Sequence, residues 1–189
     1  MNTAASPKRP SFIVIGLGNE YISDDGVGIW VVRELKKRLP TRDIAFEELS
    51  VGGLQLLDYL GGHDHCIIVD AVVTGLRPPG TVYRVVQTTC DKPIKLTSSH
   101  QVDLSQTLEL ARLLQPDIPQ TITVYGIEVS DTTTFDNRCT KPVSQAVPRL
   151  VEFICRNLLD GKAQAKNKRV PATESLERHF IGKWEIVAL

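Results

Sequence analysis

Residues 11–17, Ser-Phe-Ile-Val-Ile-Gly-Leu, form a short β-branched run that ends in Gly16-Leu17-Gly18-Asn19. A run of this length, apolar on both faces, reads as a fully buried parallel strand entering a tight turn. Residues 28–39 then place Ile29, Val31, Val32, Leu35 and Leu39 at helical spacing with charges between them, and Pro40 stops the pattern. Parallel strands need a crossover, and a strand feeding a helix in this way is the first half of one.

The same alternation continues down the chain. Residues 44–49 predict a second strand, and 54–60 a short helix closed by Gly61-Gly62. Residues 65–73 predict a third, strongly apolar strand with one carboxylate, Asp70, inside it. Pro78-Pro79-Gly80 is a turn, and 81–86 alternates as a fourth strand. Residues 102–114 carry Leu104, Leu108, Ala111 and Leu114 on one helical face. A fifth strand is expected over 121–127 and a last helix over 143–159. The fold class that follows is a three-layer α/β/α sandwich around a mostly parallel five-stranded sheet. Residues 1–10 read as an N-terminal arm and 11–159 as the domain. Residues 160–189 read as a tail of unknown role: 161–169 hold four basic residues and no acidic one, and 179–189 turn apolar again.

Composition narrows the partners. The 189 residues suit one domain, and 42% hydrophobic residues are enough for its core. Lys and Arg total 22 against 22 Asp and Glu, so no global field draws nucleic acid or anionic lipid. No apolar stretch is long enough to span a bilayer, and the first ten residues lack the apolar run of a secretory signal. Cys66, Cys90, Cys139 and Cys155 lie far apart with no CxxC pair, which argues against a disulfide framework or a structural zinc site. A cytoplasmic location is expected, with no nucleic-acid or membrane partner.

Open α/β sheets bind ligands beyond the carboxyl ends of their strands. Three places qualify: the turn from Gly16 to Gly28, Asp70 near the end of strand three, and Leu96-Thr97-Ser98-Ser99-His100-Gln101 before the third helix. The first turn opens as a GxGxxG, but Tyr21 holds the third glycine position, so the close helix–strand approach is expected to be missing. Glu20, Asp24 and Asp25 would also repel a pyrophosphate. A cation suits them better. Asp25, Asp70 and His100 fall at one end of the expected sheet, and two carboxylates with one imidazole suit zinc or nickel. Taken singly, Asp25 could cap a helix, Asp70 could accept backbone N–H groups, and His100 could be an exposed loop residue. Asp70 stands out, because a carboxylate behind Cys66-Ile67-Ile68-Val69 is costly to bury unless it is paired or metal-bound. His63 and His65 precede strand three and belong to the opposite end, and His179 lies in the tail. Trp30 reads as helix packing rather than a substrate contact.

Gly16-Leu17-Gly18-Asn19 followed by Ser23-Asp24-Asp25-Gly26-Val27-Gly28 resembles the opening signature of the hydrogenase maturation proteases. Ile68-Val69-Asp70-Ala71-Val72 with Pro79-Gly80-Thr81, and Ser99-His100-Gln101 before a helix, are similar to two further elements of that family, in its order. The resemblance runs from about residue 12 to 159. It departs in two places. Asp25 stands where many members have Glu, and Glu48-Leu49-Ser50-Val51-Gly52-Gly53 stands where they often have Asp-Gly-Gly-Thr.

The resemblance implies an endopeptidase that removes a short C-terminal peptide from the nickel-loaded precursor of a hydrogenase large subunit. Asp25, Asp70 and His100 would bind the substrate's nickel or a resident divalent metal such as zinc, with no organic cofactor. Two mechanisms fit: a metal that activates water or the scissile carbonyl, or a carboxylate such as Asp24 or Asp70 acting as general base. There is no HExxH and no Gly-x-Ser-x-Gly, so zincin and serine-elbow chemistry are unsupported. The alternatives are a nickel-sensing chaperone that binds the precursor without cutting it, and a nucleotide-dependent α/β enzyme.

Overall fold

The computed structural model describes residues 10–39, 43–50, 53–87, 104–114, 117–164, 178–181 and 184–188. His100 and its loop, Cys90, Pro40 and Pro171 lie outside the described residues. The strands are β1 (Phe12–Leu17), β2 (Ile44–Leu49), β3 (His65–Val72), β4 (Val82–Gln87), β5 (Thr121–Glu128), β6 (Arg178–Ile181) and β7 (Trp184–Ala188). The helices are α1 (Val27–Arg38), α2 (Leu57–Leu60), α3 (Leu104–Leu114) and α4 (Lys141–Gln164). Short 3-10 turns, Ser23–Gly26 and Gly53–Leu56, lead into α1 and α2.

The sheet runs β2-β1-β3-β5-β4-β7-β6. Its first four strands are parallel, while β4 runs antiparallel to β5. β1 therefore has β2 on one side and β3 on the other. The order reverses there, and such a switch point is where open α/β sheets form their ligand crevice. That switch point lies between the turn carrying Asp25 and the strand carrying Asp70.

Strand alternation sorts the core into two layers. Ile13, Ile15, Leu17, Cys66, Ile68 and Val72 pack with Leu56, Leu60, Leu104 and Leu108 on the α2–α3 side. Val14, Val69 and Ala71 pack with Val31, Leu35, Leu150 and Ile154 on the α1–α4 side. The three-layer α/β/α sandwich expected from the sequence is present. Asp70 shares the period of Ile68 and Val72, so it faces the α2–α3 side.

Two expectations need correction. The close helix–strand approach is made after all, by Gly28 rather than by the position of Tyr21. A Cβ on Gly28 would lie far inside contact distance of the carbonyl oxygens of Leu17 and Val69. The start of α1 thus rests on the ends of β1 and β3. The second concerns the tail. Helix α4 continues past residue 159 to Gln164. β7 then pairs antiparallel with β4, and β6 with β7, so among the described residues the sheet has seven strands rather than five. The neighbour of β7 in the sheet, β4, lies far back in the chain, and no local pattern announces that pairing.

Candidate active site

The turn after β1 is shaped by its backbone. Gly18 has φ of 144°, outside the range of residues with a Cβ, and a Cβ there would collide with the Asp25 carbonyl. In dinucleotide folds the equivalent space is left for a pyrophosphate. Here the chain fills it, which argues against the nucleotide alternative. The folded-back turn puts Asp25 where its Oδ2 accepts the N–H of Asn19 at 2.8 Å, and Asn19 Oδ1 accepts the N–H of Tyr21 at 3.1 Å.

Asp25 and Asp70 are 2% and 3% exposed. The 3-10 turn touches β3, because glycine at position 28 lets α1 settle on the strand ends. Asp70 Oδ1 accepts the N–H of Ala71 at 2.8 Å. Burial pushes the Asp70 carboxyl up to about 7; the Ala71 N–H opposes this, and the negative charge of Asp25 adds to it. A carboxyl held near neutrality beside a second carboxylate can exchange a proton or accept a cation. His100, the third expected site residue, lies outside the described residues. Among those described, no group of three His, Cys, Asp or Glu side chains is placed to hold a metal.

Asp24 has another task. Its Oδ1 accepts the Thr140 N–H at 2.6 Å. Its Oδ2 accepts from Ser130 N–H at 3.3 Å, Asp131 N–H at 3.2 Å and Thr140 Oγ1 at 3.1 Å. A fully buried carboxylate engaged in this way stabilises a loop, and the geometry favours Asp70 over Asp24 as a base.

A further buried carboxylate, Glu128 at the end of β5, was not singled out from the sequence. It accepts the N–H groups of Thr74 and Gly75, both at 2.9 Å, and the Thr74 hydroxyl at 2.6 Å. The signal that marked Asp70, a carboxylate closing an apolar strand, applies equally to Glu128.

The competing residues fall elsewhere. His65 pairs with Phe12 and Thr121, the first residues of β1 and β5, and stacks on Phe12 at 4.6 Å. His63 Nδ1 sits 2.6 Å from the Pro10 carbonyl. Both are at the amino end of the sheet, as expected. Trp30 packs against the core, and Arg33 lies 4.8 Å above its ring. Burial raises the pKa of the Cys66 thiol, and burial with the charge of Asp24 pushes Cys139 up to about 12, so neither is an activated nucleophile. Among the described residues, no helix is long and apolar enough to cross a membrane.

Comparisons with known proteins place the chain in a family. A family model described as hydrogenase maturation protease matches residues 29–157. The hydrogenase expression/formation protein HupD of Rhizobium leguminosarum bv. viciae is 29% identical over 181 residues, covering 93% of this chain and 88% of that protein. The hydrogenase 2 maturation protease of Escherichia coli K12 is 29% identical over 119 residues, 61% of this chain and 71% of that one. In fold, the chain is similar to the hydrogenase maturating endopeptidase HybD from E. coli. The TM-score is 0.65 at 24% identity, over 79% of this chain and 93% of that one. The family match spans most of the sandwich, from the first helix to the last. The chain belongs to the hydrogenase maturation protease family and is a peptidase that processes a hydrogenase precursor.

Proposed function

We propose that this peptidase removes a short C-terminal peptide from the nickel-loaded precursor of a hydrogenase large subunit, at a site formed by Asp25, Asp70 and His100. The observation that carries it is the pairing of two buried carboxylates, Asp25 and Asp70, at the switch point of the sheet. Two carboxylates and an imidazole are a donor set suited to nickel or zinc. His100 stands four residues before Leu104, which packs on the same side of the sheet that Asp70 faces. The likeness of Ser99-His100-Gln101 to the family's histidine element supports His100 as the third donor.

The metal would be the substrate's own nickel or a resident divalent ion such as zinc, held by Asp25, Asp70 and His100. Such an ion supplies Lewis-acid polarisation of a carbonyl or of water. The chain's residues do the rest. Asp25, oriented by the Asn19 N–H, brings negative charge to the crevice. Where Asp70 does not itself hold the ion, its carboxylate would take the proton of an attacking water and return it to the leaving amine. Burial of both carboxylates keeps bulk water from competing.

The test is incubation of purified precursor, with and without nickel, followed by mass spectrometry. Loss of a short C-terminal peptide only from the nickel-loaded form is expected. A stable uncut complex would instead support a nickel-sensing chaperone.

A further inference from the structure

Residues 128–131, at the carboxyl end of β5, are tied to both halves of the candidate site. On one side Asp24 receives the N–H groups of Ser130 and Asp131, and its own N–H donates to the Asp131 carbonyl at 3.0 Å. Asp24 precedes Asp25 in the same turn. On the other side Glu128 receives the N–H groups of Thr74 and Gly75, just beyond the end of β3. Between them the Val129 N–H donates to the Val72 carbonyl at 3.0 Å. Tyr83, its hydroxyl 3.3 Å from Thr74 Oγ1, backs the Glu128 side.

Both carboxylates are buried, Asp24 at 0% and Glu128 at 3% exposure. Burying a carboxylate is costly unless several donors satisfy it. Each of these has at least three, supplied by the segments just past β3, just past β5 and just before α4. We propose that Asp24 and Glu128 are a pair of positioning residues, which use the end of β5 as a common anchor to fix Asp25 relative to Asp70. The inference rests on the proposed site but concerns its geometry, so it can fail separately.

The two anchors differ in what an amide can replace. In Glu128→Gln, the amide oxygen can keep both N–H groups at the Oε1 position, and the amide N–H can donate to Thr74 Oγ1, whose hydroxyl turns away. In Asp24→Asn no such exchange exists. Either orientation of the amide aims its NH2 at a backbone N–H, of Thr140 or of Ser130 and Asp131.

The experiment is amide NMR on the full-length metal-free chain, read at Asn19, which donates to Asp25, and at Ala71, which donates to Asp70. Asp24→Asn and Glu128→Ala should displace these two signals, and Glu128→Gln should restore them. Thr140→Val, which removes only a hydroxyl from the Asp24 cluster, should give a smaller displacement in the same direction, and it remains informative if Asp24→Asn does not fold. In precursor cleavage, Asp24→Asn and Glu128→Ala should lose about 10–100-fold in kcat with KM little changed, as residues that orient a site do. Asn19 and Ala71 signals that superimpose on wild type in Glu128→Ala and Thr140→Val would overturn the inference. Displaced signals in a protein that never cuts precursor would leave the positioning role standing and overturn the proposed function.

Discussion

Asp24 Oδ1 accepts the backbone N–H of Thr140 at 2.6 Å, joining positions 116 residues apart in the chain. The carboxylate next in sequence, Asp25, is turned instead toward Asn19 and the strand that carries Asp70. Adjacent aspartates thus do different work: one closes a loop and the other lies buried close enough to Asp70 for its charge to be felt there. Asp25→Asn keeps the size of the side chain and one acceptor oxygen but removes its charge. Processing should fall by roughly a hundredfold or more, as expected for loss of a charged group at a reacting centre. A thermal melt within a few degrees of wild type, run beside the cleavage assay, separates this from unfolding.

Asp70 gives a pH-dependent stability. Its carboxyl sits at about 7 in the fold, against 3.8 for the ordinary group, so between these values the folded chain holds a proton that the unfolded chain releases. The unfolded state then binds fewer protons, and this group's contribution to stability falls as pH rises from about 4 to about 7. Asp70→Asn cannot ionise and should remove that slope. Thermal melts of the metal-free proteins at pH 5 and pH 8 check it. The variant should gain on wild type at pH 8 relative to pH 5, and an equal difference at both pH values would count against the buried carboxyl.

Gly28 offers a packing test. A methyl group there meets the carbonyl oxygens of Leu17 and Val69, both backbone atoms of the central strands that cannot swing aside. Gly28→Ala should cost at least about 2 kcal/mol, in the range of overpacked cores. For a chain of this size that is a fall of at least about 4 °C in Tm. Because the same contact holds the Asp25 turn against β3, processing should fall with it.

Cys139 supplies a negative control. Its thiol lies beside the first turn and contacts the Ser23 carbonyl at 3.6 Å, yet burial and Asp24 hold it protonated. Cys139→Ala should therefore retain processing within about threefold, since a thiol without a thiolate is a poor nucleophile. A loss comparable to that of Asp25→Asn would mean that sulfur takes part in the chemistry.

Much of this was legible in the chain before folding. The apolar run into Gly16-Leu17-Gly18-Asn19 specifies a buried strand, a turn and a helix, and β-branched residues mark the other parallel strands. Asp70 was conspicuous because a charge at the end of an apolar strand must be accounted for. The GxGxxG spacing puts the helix-packing glycine at position 21, where Tyr stands, and so gives no sign that Gly28 makes the contact. Glu128 closes an apolar strand as Asp70 does, but its partners, Thr74 and Gly75, lie more than fifty residues away. Long-range hydrogen bonds of this kind leave no local pattern. The pairing of β7 with β4 is the same case, since its register joins Tyr83 to Ala188.

The most direct test of the central claim is the mass of a nickel-loaded large-subunit precursor after incubation with wild type, Asp25→Asn, Asp70→Asn and His100→Ala, each verified as folded. Wild type should release one short C-terminal peptide, and the three variants should leave the precursor at full mass over the same time. Complete processing by any of the three would remove that residue from the site. Processing by all of them would contradict the account.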